Sequence, residues 1–281
     1  MTPSIIQIFA ACLLAIIIAL LAKRAGALSY SGAVAAAVLG TVIFGLGGLS
    51  WSVLLLAFFI TSSGLSRMFK RRKLGNDEKH AKGSQRDAAQ VLANGGLAGG
   101  CVLLSLVFPQ SILPWLAFAG SLAAANADTW ATELGILSKS PPRMITTRKP
   151  VDAGTSGGVS LTGTTFSLTG SLLIALLAAM PWSHTFFVNR PLDSILIILV
   201  VGIAGLSGSL FDSYLGATLQ AIYYCQACQK ETEKHPLHIC GTSTNLVKGL
   251  SWMNNDWVNL FCTACGAVVA SLLGWIFIFI G

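Results

Sequence analysis

Long apolar runs recur along the whole chain: Ile5–Ala22, Ala33–Leu49, Ser52–Leu65, Val91–Phe108, Ile112–Ala127, Leu161–Met180, Ile195–Leu219 and Val258–Ile280. A helix needs roughly 20 predominantly apolar residues, with a range of about 17–25, to cross a bilayer. Several of the runs are slightly short and glycine-rich, so the count is about eight, bounded by seven and nine. The fold class that follows is all-α integral membrane: one polytopic bundle over residues 1–281, with its N-terminus outside. Composition agrees, since 10% of the 281 residues are charged and 54% are hydrophobic, whereas a soluble domain carries about 25% charged residues. No basic residue precedes the first run, and no small-residue cleavage site follows it before Lys23-Arg24. It therefore reads as a span and not as a cleaved signal peptide.

The net charge of +7 points to a membrane and not to nucleic acid, because of where the cations fall. With eight spans, alternate connections collect Lys23 and Arg24, the cations from Arg67 to Arg86, then Lys139, Arg143, Arg148 and Lys149, and finally Lys230, Lys234 and Lys248. Only Arg190 falls on the other side. The positive-inside rule makes the basic side cytoplasmic. The acids keep to the same side, Asp193 excepted, and so do the long polar connections 67–88, 128–158 and 221–257. Chemistry is expected on that face. The run "RMFKRRK" reads as a positive-inside anchor or a contact with anionic membrane lipids.

Five polar stretches stand out against this background. "SLAAANADTWATELG" ends an apolar helix with Asn126, Asp128 and Glu133, and "LSGSLFDSYLGATLQ" echoes it with Asp212 in the matching place. Such an echo is what an internal duplication leaves. Ionisable groups near membrane depth are costly to insert and default to a functional reading, although Glu133 also suits a helix end that has reached the interface. Carboxylates with amide and hydroxyl neighbours suit Mg²⁺, with Asn126, Asp128, Asp212 and Asp256 as candidate ligands. Asp256 belongs to "SWMNNDWVN", where Asn254, Asn255 and Asn259 crowd the same turn; helix capping accounts for one of these.

In "GSQRDAAQVLANGG", Arg86 and Asp87 open a helix on which Gln90 and Asn94 continue a polar stripe directed into the bundle. In "VDAGTSGGVSLTGTTF", Gly154, Thr155, Gly157 and Gly158 lead into a helix starting near Val159 or Ser160. Backbone N–H groups and a helix N-terminus there suit a phosphate, with Arg143, Arg148 and Lys149 just upstream. The loop lacks the Gly-Lys-[Ser/Thr] of a Walker A motif.

The seven cysteines do not form a secreted disulfide framework. Cys12 and Cys101 are small helix residues, and Cys262-x2-Cys265 lies just inside the last helix. Within 221–257, Cys225-x2-Cys228 followed by His238-x-Cys240-Gly241 has the ligand types of a closed tetrahedral Zn²⁺ site on a small hairpin. The competing reading is a loop of reduced thiols, and His235 is a spare ligand.

Taken in order, "GSQRDAAQVLANGG", "NADTWATELG", "PRMITTRKPVDAGTSGGVSLTG", "GSLFDSYLGATLQ" and "NNDWVN" resemble the integral-membrane phytyl-phosphate kinase family from Ser31 onward. That family is in turn similar to polyprenol and dolichol kinases and to CTP-using phosphatidate cytidylyltransferases. The resemblance implies transfer of a phosphoryl group from a nucleoside triphosphate, CTP above all, to a phytyl or other polyprenyl monophosphate, with Mg²⁺, at the cytoplasmic face of a plasma or thylakoid-type membrane. It implies catalytic or metal roles for Asp128, Asp212, Glu133, Asp87 and Asp256. Phosphate contacts would come from Arg86, Asn94, Arg143, Lys149, Thr155, Gly157, Gly158, Ser160, Asn255 and Asn259. The rival readings are a transporter or flippase for a lipid phosphate or small anion, a lipid cytidylyltransferase, and a polyprenol kinase. A transporter needs a polar route to both faces, and the outer half of this chain is almost uncharged.

Overall fold

A computed structural model of the chain describes residues 4–69, 85–180 and 191–280. The basic residues Lys70–Lys82 and Arg190 lie outside the described residues. Among the described residues eight long helices form: α1 Ile5–Arg24, α2 Tyr30–Val42, α3 Leu49–Phe69, α4 Ala88–Val107, α5 Leu113–Gly135, α6 Leu161–Ala178, α7 Pro191–Thr218 and α8 Asn255–Ile280. A π-helical turn, Ile43–Gly47, extends α2. Seven of the eight are long and apolar enough to cross a membrane; α5 is the one that is not. The all-helical membrane architecture expected from the apolar runs is thus the one observed.

The exception is explained by position. Helix α5 packs against α3, α4, α6, α7 and α8, and every residue from Phe118 to Ala127 is buried. A helix with protein on every side needs no lipid-facing surface, so small and polar residues replace Leu and Ile. Closeness is the gain. A Cβ on Gly120 would lie 2.5 Å from the carbonyl oxygen of Gly266 on α8, so the two backbones touch where only glycine fits, as small-residue packing in membranes requires. At its N-terminal end Trp115 and Phe118 stack with ring centroids 5.9 Å apart, and Trp51 of α3 closes edge-on against both.

Two small sheets lie at the end of the bundle where α1, α3, α5 and α7 finish. Strands β1 Arg143–Met144 and β2 Gly158–Val159 pair antiparallel in the α5–α6 connection. In the α7–α8 connection, β3 Ile222–Cys225 is the centre of a three-stranded sheet with β4 Lys230–Thr232 and β5 Thr244–Lys248. This second sheet is tied to the bundle at its base: Ala221 N donates to Met253 O at 2.8 Å, and Lys248 Nζ to Gly216 O at 2.8 Å.

Candidate functional site

The same end of the bundle holds a cavity of about 690 Å³. Its walls come from six helices and both connections, which explains why no single stretch of sequence outlines it. Helix α5 brings Asp128, Thr132 and Glu133; α7 brings Asp212 and Ser213; α8 brings Asn255, Asp256 and Asn259. The polar stripe of α4 also faces inward, with Gln90 and Asn94 on the wall beside Arg86.

Arg86 is fixed by its backbone. Its N–H donates to Ala27 O at 3.0 Å and its carbonyl accepts from Ser29 N at 3.0 Å, so the α1–α2 turn holds it like a short strand. The guanidinium donates to Ser62 Oγ at 3.1 Å and lies 5.7 Å from the Phe58 ring centroid. Burial lowers its pKa, and the nearby Glu133 carboxylate opposes that shift. Glu133 is itself buried, with Ser66 Oγ donating to Oε1 at 2.7 Å.

Across the cavity, the Asp212 carboxylate has Asp128 and Glu233 as its charged neighbours. Its Oδ2 is buried with no hydrogen-bond partner among the described residues. A buried, unsatisfied carboxylate oxygen costs free energy unless a donor or a cation meets it. Glu233 is anchored by Gln220 Nε2, which donates to Oε1 at 2.9 Å, and by the Ser156 hydroxyl at 3.4 Å.

The glycine loop is pressed against α7. Gly157 has φ +86°, and a Cβ there would lie 2.5 Å from Ala217 N and from Ala217 Cβ. Both its handedness and the close approach demand glycine. Thr155, Gly157, Gly158 and Ser160 all line the cavity. Ser160 caps α6 as well, its hydroxyl accepting from Gly163 N at 3.0 Å, so the helix begins at Leu161.

Four residues expected at the site are placed elsewhere. Asn126 is fully buried inside the bundle, donating to Gly170 O at 2.8 Å with Thr61 Oγ1 3.0 Å from its own Oδ1. Its amide joins α5, α6 and α3, and it does not reach the cavity wall. Asp87 is the N-cap of α4: its carboxylate accepts from Gln90 N at 3.0 Å, and Gln90 Oε1 accepts from Asp87 N at 3.1 Å. That reciprocal capping box is a helix start. Arg143 and Lys149 are exposed on the outer side of the β1–β2 turn, where Arg143 Nη1 donates to Arg148 O at 3.0 Å.

The cavity in turn contains groups that the sequence did not single out. Lys139 supplies a cation, and Gln220 and Glu233 arrive from the α7–α8 connection. Nothing in "LSKSPPR" or "QKETEKH" distinguishes Lys139 or Glu233 from any solvated loop charge.

A second, narrow cleft of about 80 Å³ adjoins the first. Its walls are almost wholly apolar, with Ala15, Ala19, Leu39, Phe44, Leu55 and Phe58 from α1, α2 and α3. Arg86, Gln90 and Asn94 line both spaces. An acid-bearing polar chamber and a hydrocarbon-lined cleft therefore meet at one arginine.

Outside the cavity, Cys225, Cys228, His238 and Cys240 come together, with one ligand atom from each lying within 4.8 Å of all the others. Cys262 and Cys265 are on α8 and take no part.

Comparison with known proteins places the chain. It is 33% identical to Protein PGR of Arabidopsis thaliana, covering 92% of each sequence. It is 28% identical to an uncharacterised membrane protein of Methanocaldococcus jannaschii, over 96% of this chain and 95% of the relative. Protein VTE6, chloroplastic, of Arabidopsis thaliana is 27% identical over 88% of this chain and 65% of its own length. No solved structure matches. The model of the family described as integral membrane protein DUF92 matches residues 13–267, so the chain belongs to the DUF92 integral membrane family.

Proposed function

We propose that the protein is a nucleotide-dependent lipid-phosphate kinase, converting a phytyl-type polyprenyl monophosphate to its diphosphate at the cytoplasmic face. One observation carries this: the polar chamber and the apolar cleft share Arg86, Gln90 and Asn94. Such a junction fits an amphipathic substrate whose headgroup lies at Arg86 and whose tail starts in the cleft and continues into the bilayer. The motif resemblance to the phytyl-phosphate kinase family, and the similarity to VTE6 over most of this chain, support the same reading. CTP is the donor the resemblance favours.

The acceptor phosphate has its second pKa near about 6 and is largely dianionic at neutral pH. It needs little general-base help. The demands are charge neutralisation and in-line placement of the acceptor oxygen against the γ-phosphorus. A new bond forms between that oxygen and the γ-phosphorus while the bond to the β–γ bridging oxygen breaks, and the nucleoside diphosphate leaves with the electron pair. Arg86 holds the acceptor phosphate, and Lys139 with the Thr155–Ser160 backbone holds the donor phosphates.

The donor set fits Mg²⁺, because Asp128, Asp212 and Asp256 offer hard oxygens and Asp212 Oδ2 is buried without a hydrogen-bond partner among the described residues. When bound there, Mg²⁺ supplies charge neutralisation for the transferring phosphoryl group. The test is transfer of label from γ-labelled CTP or ATP to phytyl or geranylgeranyl phosphate by purified protein with Mg²⁺. Label in a diphosphate product is expected. Absence of transfer to every polyprenyl phosphate from every nucleotide sinks the reading, and label appearing only on the free alcohol makes it a polyprenol kinase.

A further inference from the structure

The hairpin between α7 and α8 has a defined shape and almost no core. Its buried apolar side chains, Ala221, Ile222 and Tyr223, all lie at the base of β3, where the sheet joins the bundle. Farther out, the buried residues are Cys225, Thr232, His238 and Thr244, while Leu237 and Ile239 are exposed. A unit of this size lacks the apolar area to hold itself together, and chains below about 40 residues usually need a metal or disulfides. Yet the far end is where four metal-ligating side chains converge.

Their spacing is compatible with a closed tetrahedral site. With Zn–S of about 2.3 Å and Zn–N of about 2.0–2.1 Å, tetrahedral edges come to about 3.8 Å between sulfurs and about 3.5 Å between sulfur and nitrogen. Cys225 Sγ lies 3.5 Å from Cys240 Sγ, and His238 Nδ1 lies 3.3 Å from Cys240 Sγ. Both distances fall within a few tenths of an ångström of those edges, and all four ligand atoms lie within 4.8 Å of one another. The ligands come in two pairs along the chain: Cys225 ends β3 and Cys228 lies in the β3–β4 turn, while His238 and Cys240 sit in the β4–β5 connection. One ion would close both.

What the closure holds is Glu233. It directly follows β4, midway between the two ligand pairs, and its carboxylate reaches the chamber beside Asp212 and Asp128. We infer that Cys225, Cys228, His238 and Cys240 bind one structural Zn²⁺ that pins the hairpin and thereby sets Glu233 as a further carboxylate beside Asp212 in the chamber. The zinc site stands on its own geometry; the role of Glu233 in cation binding rests on the reading given under Proposed function.

Elemental analysis of protein purified without chelators should find about one zinc per chain, falling at least severalfold in Cys225→Ser and Cys228→Ser. Zinc well below stoichiometric in the unaltered protein, or a Cys225–Cys240 disulfide found by mass spectrometry, overturns the site. Limited trypsin digestion adds a readout independent of activity and of any variant. Stripping zinc should open cleavage after Lys230 or Lys234 while the helical signal is kept, and an unchanged digest overturns the pinning. Mn²⁺ binding followed by paramagnetic resonance tests Glu233. Affinity should weaken several-fold on stripping and by a like factor in Glu233→Gln; Mn²⁺ affinity unmoved by either removes the coupling. A kinase assay that fails would leave the zinc and proteolysis results untouched, so the two failures are distinguishable.

Discussion

Helices α1 and α5 have nearly the same length and opposite designs. Helix α1 has a mean hydropathy of 2.9 with only 22% of its span buried, and its large side chains, Ile6, Phe9 and Leu13 among them, are exposed. Its buried residues are Ala11, Ala15, Ala19 and Ala22, a small-residue face turned to its neighbours. Helix α5 is buried almost throughout and is the one long helix too polar to count as a span. In a soluble protein the apolar face points inward. Here lipid takes the large apolar side chains, and the interior selects for smallness and for polar groups with partners. Helix α5 is where those two demands become a site, because its last two turns deliver Asp128 and Glu133 into the chamber.

The sharpest way to break this contrast is to remove charge from the inner helices. In Asp212→Asn and Asp128→Asn, turnover of a polyprenyl phosphate should fall by at least about 10²-fold, the scale seen when one preorganised transition-state contact is lost. Folding should survive, since an amide fills the same space, and size-exclusion chromatography in detergent checks this. Retained activity in both variants would remove the two aspartates from the mechanism. The next effect is on the fold. Gly120→Val puts a Cβ 2.5 Å from Gly266 O, and overpacking of this kind costs about 1–3 kcal/mol where side chains can shift. Backbone cannot shift as easily, so the loss should reach at least about 3 kcal/mol, read as a large drop in the thermal midpoint. An unchanged midpoint would mean that α5 and α8 do not touch there.

The sequence shows much of the outward design and little of the inward one. Apolar runs long enough to span are a local property, so the helix count was readable. Asp128, Asp212 and the stripe Arg86, Gln90 and Asn94 were readable too, because polarity in an apolar run is conspicuous whatever surrounds it. Arg143 and Lys149 mark the limit. Their charge and their place before a glycine loop point to phosphate, but a two-strand turn decides which side they face, and it turns them out. Asn126 reads as a ligand until its amide is seen bonded to Gly170 across the bundle. Glu233 is the converse case. It sits in an ordinary polar loop and reaches the chamber only because β4 folds back along β3, a long-range event with no local signature.

The smallest effects fall on α1 and test the contrast within one helix. Ala15 is 6% exposed, and a Cβ on Gly40 of α2 would lie 3.1 Å from the Ala15 Cβ. Ala15→Leu should therefore force α1 and α2 apart and lower stability by about 1–2 kcal/mol. Two residues earlier, Leu13 is 63% exposed, and Leu13→Val should change stability by less than about 0.5 kcal/mol. The same pair in a soluble helix gives the reverse ordering whenever the leucine is the buried residue. Parallel thermal unfolding of the two variants in one detergent decides the matter. A Leu13→Val loss equal to or greater than that of Ala15→Leu would show that α1 turns its large side chains towards protein, and would invert the packing assigned to it.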